Sequence, residues 1–345
     1  MNDSQEGASR RRVTLKDVAT ASGVTASTVS KVVNNRADVG PEVRQRVLDT
    51  IEELGFHPNS VARGLRMQRS DTLAIITDDL EGIFTNAMMR GVEDAASLAG
   101  FGVFLCNSYG DRDRERLQLQ RLLDKQVDAL IFMSGNRVGR RPEPALALQG
   151  TPFVYLYEYG DAEVPTVLPD DIGGAALAAE HLVGTGARDI AFINGPSEWE
   201  ATGDRLTGFT DRLAARGRLL RSENTKEARQ WSPEEGYRLT EELLDGRPTI
   251  DAIFCASDDL AAGAIAAAHD RALRIPDDLQ IVGFDDRSLA EHQRPPLTTV
   301  ALPLHTMGRL AGEQAIASLD GRSEPRTFRV PCELVVRETT RGPSS

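Results

Sequence analysis

The sequence predicts an α/β protein in three parts: a small helical head, a short helical hinge, and two doubly wound lobes built on parallel sheets. Three observations predict it. Residues 13–55 hold three short segments with one apolar stripe each, opened by capping residues or Pro, the first and third closed by Gly. From Leu73 to Phe284 short apolar runs alternate with helical stretches, the order that lays helices over a parallel sheet through right-handed crossovers. Pro295-Pro296 then breaks the alternation, and a long helix with two further short strands follows, as in a chain that crosses back between lobes.

The head begins at Thr14-Leu15-Lys16-Asp17, a hydroxyl followed three residues later by an acid, which is the capping-box pattern. Leu15, Val18 and Ala19 form one stripe, and Ser22-Gly23 stops the helix. Thr25 caps a second helix. There Val29, Val32 and Val33 face inward, while Ala26, Ser27, Ser30, Lys31 and Asn34 occupy the other face. Two short helices joined through Gly, the second with an uncovered polar face, describe a helix-turn-helix. Gly40-Pro41 opens a third helix with Val43, Val47, Ile51 and Leu54 on one side, ended by Gly55. Asn59 after Pro58 caps a nine-residue helix carrying Val61, Ala62 and Leu65 between arginines. Such a helix, with Gly64 inside it, is marginal alone in water and needs DNA or a second copy of itself as partner.

The lobes follow. Strands are expected at 73–77, 103–107, 128–133, 152–156, 189–194, 252–255 and 280–284. Helices are expected at 86–98, 113–125, 144–148, 172–182, 202–215, 233–244, 258–268 and 304–319, with final strands at 328–331 and 333–337. The domain plan is a leader at 1–12, a head at 13–58, a hinge at 59–69 and an effector domain at 70–345. Its first lobe takes 70–168 and 298–328, and its second 169–297 and 329–342.

Composition narrows the function. Hydrophobic content is 40% and charged content 27%, as in ordinary globular protein. No apolar run approaches a membrane span, and Met1–Arg12 lacks the apolar core of a secretory signal, so the expected location is the cytoplasm. Cys106, Cys255 and Cys332 are odd in number and far apart, which reads as three buried free thiols. The five histidines show no metal spacing. No Walker or dinucleotide loop and no catalytic triad stands out, so neither cofactor nor enzyme is expected. The net charge of −12 argues against nucleic acid until it is divided. Residues 1–69 hold 11 Lys/Arg against 8 Asp/Glu, a net +3, which leaves −15 on the rest. A basic head on an acidic body suits a DNA-binding domain joined to a sensor.

In open α/β sheets ligands bind beyond the carboxyl ends of the strands. Asp285, Asp258, Arg205 and Trp231 fall there. Two carboxylates and a guanidinium can pair with vicinal hydroxyls while an indole stacks on a sugar face. The acids are acceptors, not catalysts. Asp258 as a helix cap, Arg205 as a surface ion-pair residue, Asp285 as a loop residue that caps or turns and Trp231 as lobe packing are the plainer alternatives. In the head, Ala26, Ser27 and Lys31 are the candidates for base edges, with Lys31 donating to guanine O6 and N7. Thr14, Thr25, Ser30 and Asn34 are the candidates for phosphates.

Val13-Thr14-Leu15-Lys16-Asp17-Val18-Ala19, Gly23-Val24, Thr28-Val29-Ser30-Lys31-Val32-Val33-Asn34 and Pro58-Asn59-Ser60-Val61-Ala62-Arg63-Gly64-Leu65 resemble the lac repressor (LacI/GalR) family of bacterial transcription regulators. The resemblance runs through nearly the whole chain. It implies lobes like those of periplasmic sugar-binding proteins and a homodimer whose two heads bind a pseudo-palindromic operator. It implies a hinge at Asn59, Ala62 and Leu65 in the minor groove, with Leu65 wedged into a central step. The resemblance also implies a small effector, a sugar or sugar derivative, that alters the angle between lobes. Gly203-Asp204-Arg205-Leu206-Thr207-Gly208-Phe209 and Gly283-Phe284-Asp285-Asp286 match segments whose Arg and Asp contact effector, and Trp231-Ser232-Pro233 matches the position of a stacking aromatic. Ser257-Asp258 stands where Asn-Asp is usual. Gly82-Ile83-Phe84 stands where Asn-Pro-Phe-Phe is common and keeps Phe84 for the site. Pro169-Asp170 departs from the usual acidic pair and offers Asp170. A stand-alone solute-binding protein of the periplasmic type is the alternative, against which the head and the absent signal peptide both speak. With no leucine heptads before Ser345, a dimer rather than a tail-linked tetramer is expected.

Overall fold

The computed structural model describes residues 13–34, 36, 38–56, 69–134, 150–158, 163–246 and 249–342. The leader, the hinge residues Asn59, Ala62 and Leu65, and the helix expected at 144–148 lie outside them. The chain divides into two compact units, Met1–Ser70 and Asp71–Ser345.

The first unit holds helices α1 (Leu15–Ser22), α2 (Ala26–Val33) and α3 (Pro41–Leu54). The capping box is formed: the Thr14 hydroxyl and the Asp17 carboxylate each serve the other's backbone N–H. Gly23 and Gly55 end α1 and α3 at φ of 66° and 60°, a left-handed turn that an L side chain resists. Val18, Val29, Val32 and Val47 make the core, closed by Phe56, which the stripe pattern had not included. Leu54 lies 37% exposed and is not part of that core.

The second unit repeats one fold twice. Strands β1 (Thr72–Thr77), β2 (Gly102–Asn107), β3 (Ala129–Met133), β4 (Phe153–Leu156) and β5 (Thr166–Pro169) alternate with α4 (Thr85–Leu98) and α5 (Arg112–Asp124). Then come α6 (Asp171–Gly184), β6 (Ile190–Asn194), α7 (Glu200–Ala215), β7 (Thr225–Glu227), α8 (Pro233–Gly246), β8 (Ala252–Cys255), α9 (Asp258–Asp270) and β9 (Gln280–Asp285). The chain closes with α10 (Ser288–His292), β10 (Thr298–Ala301), α11 (Leu304–Ser318), β11 (Thr327–Val330) and β12 (Glu333–Val335). The sheet orders are β11-β5-β4-β3-β1-β2 and β12-β10-β9-β8-β6-β7. Both reverse direction beside their first strand, at β1/β3 and at β6/β8, and such a switch point opens a crevice for ligand. Among the described residues every strand pairing is parallel except β12 on β10.

The lobe boundaries differ from those expected. β10 lies in the second sheet, because Thr298 to Ala301 extend the edge of β9 in register from Val282 to Asp285. β11 lies wholly in the first, where Thr327 to Val330 pair with Thr166 to Pro169. Strands β5, β7 and β10 and helix α10 were not read from the sequence. β5 is four residues ending in Pro, and β7 is a polar Thr-Lys-Glu at a sheet edge. Cys255 and Cys332 are buried and form no disulfide, as expected, but Cys106 is only half-buried because β2 is itself an edge strand. Among the described residues no helix is long and apolar enough to cross a membrane.

Candidate functional site

The head offers a surface. Ser27, Lys31 and Asn34 are exposed on α2 and at its end, whereas Ala26 is half-buried against the core of the head. Thr25 caps α2 by accepting from the Thr28 N–H at 3.2 Å. Asn34 closes the helix, its side-chain amide donating to the Ser30 carbonyl at 2.6 Å and to the Ser30 hydroxyl at 3.3 Å. Thr14 and Thr25 therefore serve helix ends first, but both stay exposed.

The second site is built at the β6/β8 switch point. Arg205 sits on the second turn of α7, 3% exposed. Its Nε donates to Asp171 at 2.9 Å, one terminal nitrogen donates to the Ala256 carbonyl at 2.5 Å, and the other lies 3.4 Å from Asp285. The guanidinium lies over the Phe284 ring, 3.8 Å from its centroid. Asp258 is fully buried and accepts from the Thr299 hydroxyl at 2.5 Å and the Arg287 N–H at 2.7 Å. Burial pushes the Asp285 carboxyl up to about 7 against the pull of Arg205. Burial and the Asp285 charge raise Asp258 well above the usual carboxylate range. The site thus carries three buried carboxylates to one guanidinium.

Trp231 closes this side. Its ring meets Trp199 edge-on at 5.9 Å and stands 5.8 Å from the Arg205 guanidinium. Its Nε1–H is buried without a hydrogen-bond partner among the described residues, a donor left for an incoming oxygen.

Four residues chosen from sequence, Arg205, Trp231, Asp258 and Asp285, therefore converge. Asp258 is not the cap of α9: Ser257 fills that role through the Leu260 N–H. Asp170 is placed differently. Its carboxylate caps α6 by accepting from the Gly173 N–H at 2.9 Å, and its neighbour Asp171 is the acid against Arg205. A cap faces back along its helix axis, so the first of two adjacent acids is turned to the helix end and the second to the core. Phe84 is half-buried, packs edge-on to Tyr157 at 5.7 Å, and touches the apolar clusters of both lobes.

The first lobe adds residues that sequence reading missed. Asp78, Ser134 and Glu158 follow β1, β3 and β4 within two residues, and line one pocket together with Glu115. The Ser134 hydroxyl donates to Asp78 at 3.1 Å. Their signal was positional: polar residues just past the carboxyl end of a central strand.

Residues 14–59 match the bacterial regulatory proteins of the lacI family, and residues 179–340 match the periplasmic binding protein-like domain. The ribose operon repressor of Halalkalibacterium halodurans is 36% identical over 95% of this chain and 97% of its own. Catabolite control protein A of Priestia megaterium is 37% identical over 87% and 90%. The structure of the lac repressor dimer bound to operator and an anti-inducer matches with a TM-score of 0.78 and 26% identity, over 96% of this chain and all of that one. A complex of the regulator CelR with cellobiose matches with a TM-score of 0.66 and 32% identity, over 95% and all of that chain. These relatives are regulators, not enzymes. With a head, two lobes and a similarity that spans nearly the full length, the chain belongs to the lacI family of bacterial regulatory proteins.

Proposed function

We propose that the chain is a cytoplasmic, homodimeric transcriptional repressor that binds a pseudo-palindromic operator through α2 and is controlled by a carbohydrate. The observation that carries the effector side is Arg205, buried between Asp171 and Asp285 beside a tryptophan whose N–H has no hydrogen-bond partner among the described residues. Acceptors and donors alternate there against an aromatic face, which is what a ring of neighbouring hydroxyls needs. Arg205 is already matched by Asp171 and Asp285, so no surplus positive charge is left for an anionic sugar and an uncharged one is favoured.

On DNA, Ser27 and Lys31 meet base edges, with Ala26 contributing at most its methyl. Thr14, Thr25, Ser30 and Asn34 lie against phosphates. Leu65, with Asn59 and Ala62, enters the minor groove, a role supported by the resemblance of Pro58–Leu65 to the family hinge. The lac repressor dimer and the cellobiose complex support the dimer and the carbohydrate.

Selection of operator from a random DNA pool, followed by a screen of neutral sugars against that complex, tests the reading. Arg205→Ala is expected to abolish the sugar response while operator binding persists. A protein that selects no DNA sequence refutes it. Leu65→Ala is expected to weaken operator binding with sugar binding intact.

A further inference from the structure

Lys31 is the single cation on α2, and it is engaged. Its Nζ donates to Asp38 Oδ2 at 2.6 Å, with the two side chains 47% and 58% exposed. Asp38 comes from the segment between α2 and α3. The hydrogen bond from Lys31 holds the Asp38 carboxyl below the usual carboxylate range, so at neutral pH this is an ammonium beside a carboxylate.

A carboxylate on a surface that approaches DNA is repelled by phosphates whatever their sequence. The head has little charge to spare, a net +3 over residues 1–69. Such a group favours binding only where a base edge presents a donor to it. The ammonium beside it needs acceptors at the same place. In the major groove a G·C pair offers both, with guanine N7 and O6 adjacent as acceptors and the cytosine N4 amino group next to them. An A·T pair sets its amino group between its two acceptors, so one ammonium cannot take both.

We propose that Lys31 and Asp38 read one G·C pair of each half-site as a unit. One Lys31 donor stays on Asp38 Oδ2 and the other two go to guanine O6 and N7, while Asp38 Oδ1 accepts from cytosine N4. Asp38 then fixes which strand carries the guanine. The assignment rests on α2 being the groove-facing helix.

The test uses the full chain and the operator selected by the unaltered protein. Affinity is measured for duplexes carrying each of the four base pairs at every half-site position, with Lys31→Ala, Asp38→Asn, Asp38→Ala and the double variant Lys31→Ala/Asp38→Asn. Both single variants Lys31→Ala and Asp38→Asn are expected to lose about tenfold in preference for G·C at the same position, the double variant losing no more than either. Asp38→Asn changes no shape, and the side chain is exposed, so the head stays folded. An Asp38→Ala protein that keeps its full G·C preference and binds mixed-sequence DNA more tightly overturns the proposal, since Asp38 then only neutralises Lys31. Loss at two different positions overturns it as well. If Lys31→Ala leaves every half-site preference intact, the placement of α2 in the groove has failed, and the pair with it.

Discussion

Asp285 carries two costs at one position. Its φ is 109°, and that of Asp286 is 52°, both in the region that side chains resist. Its carboxylate is also buried beside Asp258 and Asp171. Arg205 offsets part of the charge, and Asp286 is tied to Arg337 at 2.7 Å. Because burial raises the folded-state value to about 7 from 3.8, folding takes up a proton at Asp285. Its contribution to stability is full below about pH 4 and is lost as pH rises through about 7. Asp285→Asn should flatten that loss, so that thermal melts of the variant fall less between pH 5 and 8 than those of the parent. Gly195 makes a second residue-scale prediction. A Cβ there would lie 1.9 Å from the Trp231 ring, so Gly195→Ala displaces the indole. Tryptophan emission should shift to the red, and the sugar concentration at which operator binding responds should rise at least about tenfold, the order of one lost ligand contact.

At the scale of elements, α4 and α11 cross with backbone against backbone. A Cβ on Gly91 would come 2.1 Å from the His305 carbonyl oxygen, and one on Gly308 would come 2.0 Å from that of Met88. Neither oxygen belongs to a side chain that could turn aside. Gly91→Ala therefore forces the helices apart over a core that includes Met88, Val92, Met307 and Ala311. Overpacking of this kind costs about 1–3 kcal/mol, and more when backbone must move. The expected outcome is a loss of about 3 kcal/mol in denaturant unfolding, against a much smaller change for alanine at the open Gly102. Equal effects at the two glycines would mean that the crossing tolerates separation.

At the scale of the molecule, the two lobes form one compact unit, Asp71–Ser345. The chain passes between them after β5, before α11 and again between β11 and β12. Phe84 and Leu304 pack against the apolar clusters of both. Asp204, the residue before Arg205, pairs across the lobes with Arg329 on β11 at 3.0 Å. The lobes should unfold in a single calorimetric transition. Phe84→Ala should lower its midpoint by roughly 3–6 °C, the shift that about 2 kcal/mol gives a unit of this size. Two lobe transitions in the parent would show that these contacts do not couple them.

By itself the sequence determined the local structure and the choice of residues. Thr14, Asp17, Gly23 and Thr25 place the head helices through contacts a few residues apart, and Gly283-Phe284-Asp285 and Arg205 mark a candidate effector site by residue type and position after a strand. Tertiary structure decided what depends on the third dimension. It assigned β10 to the second sheet and β11 to the first, because pairing register is set by strands far away in sequence. It chose Asp171 over Asp170 for Arg205, because capping α6 turns one carboxylate away from its neighbour. It also set Asp38 against Lys31 across a turn, where no helical spacing could have announced the pair.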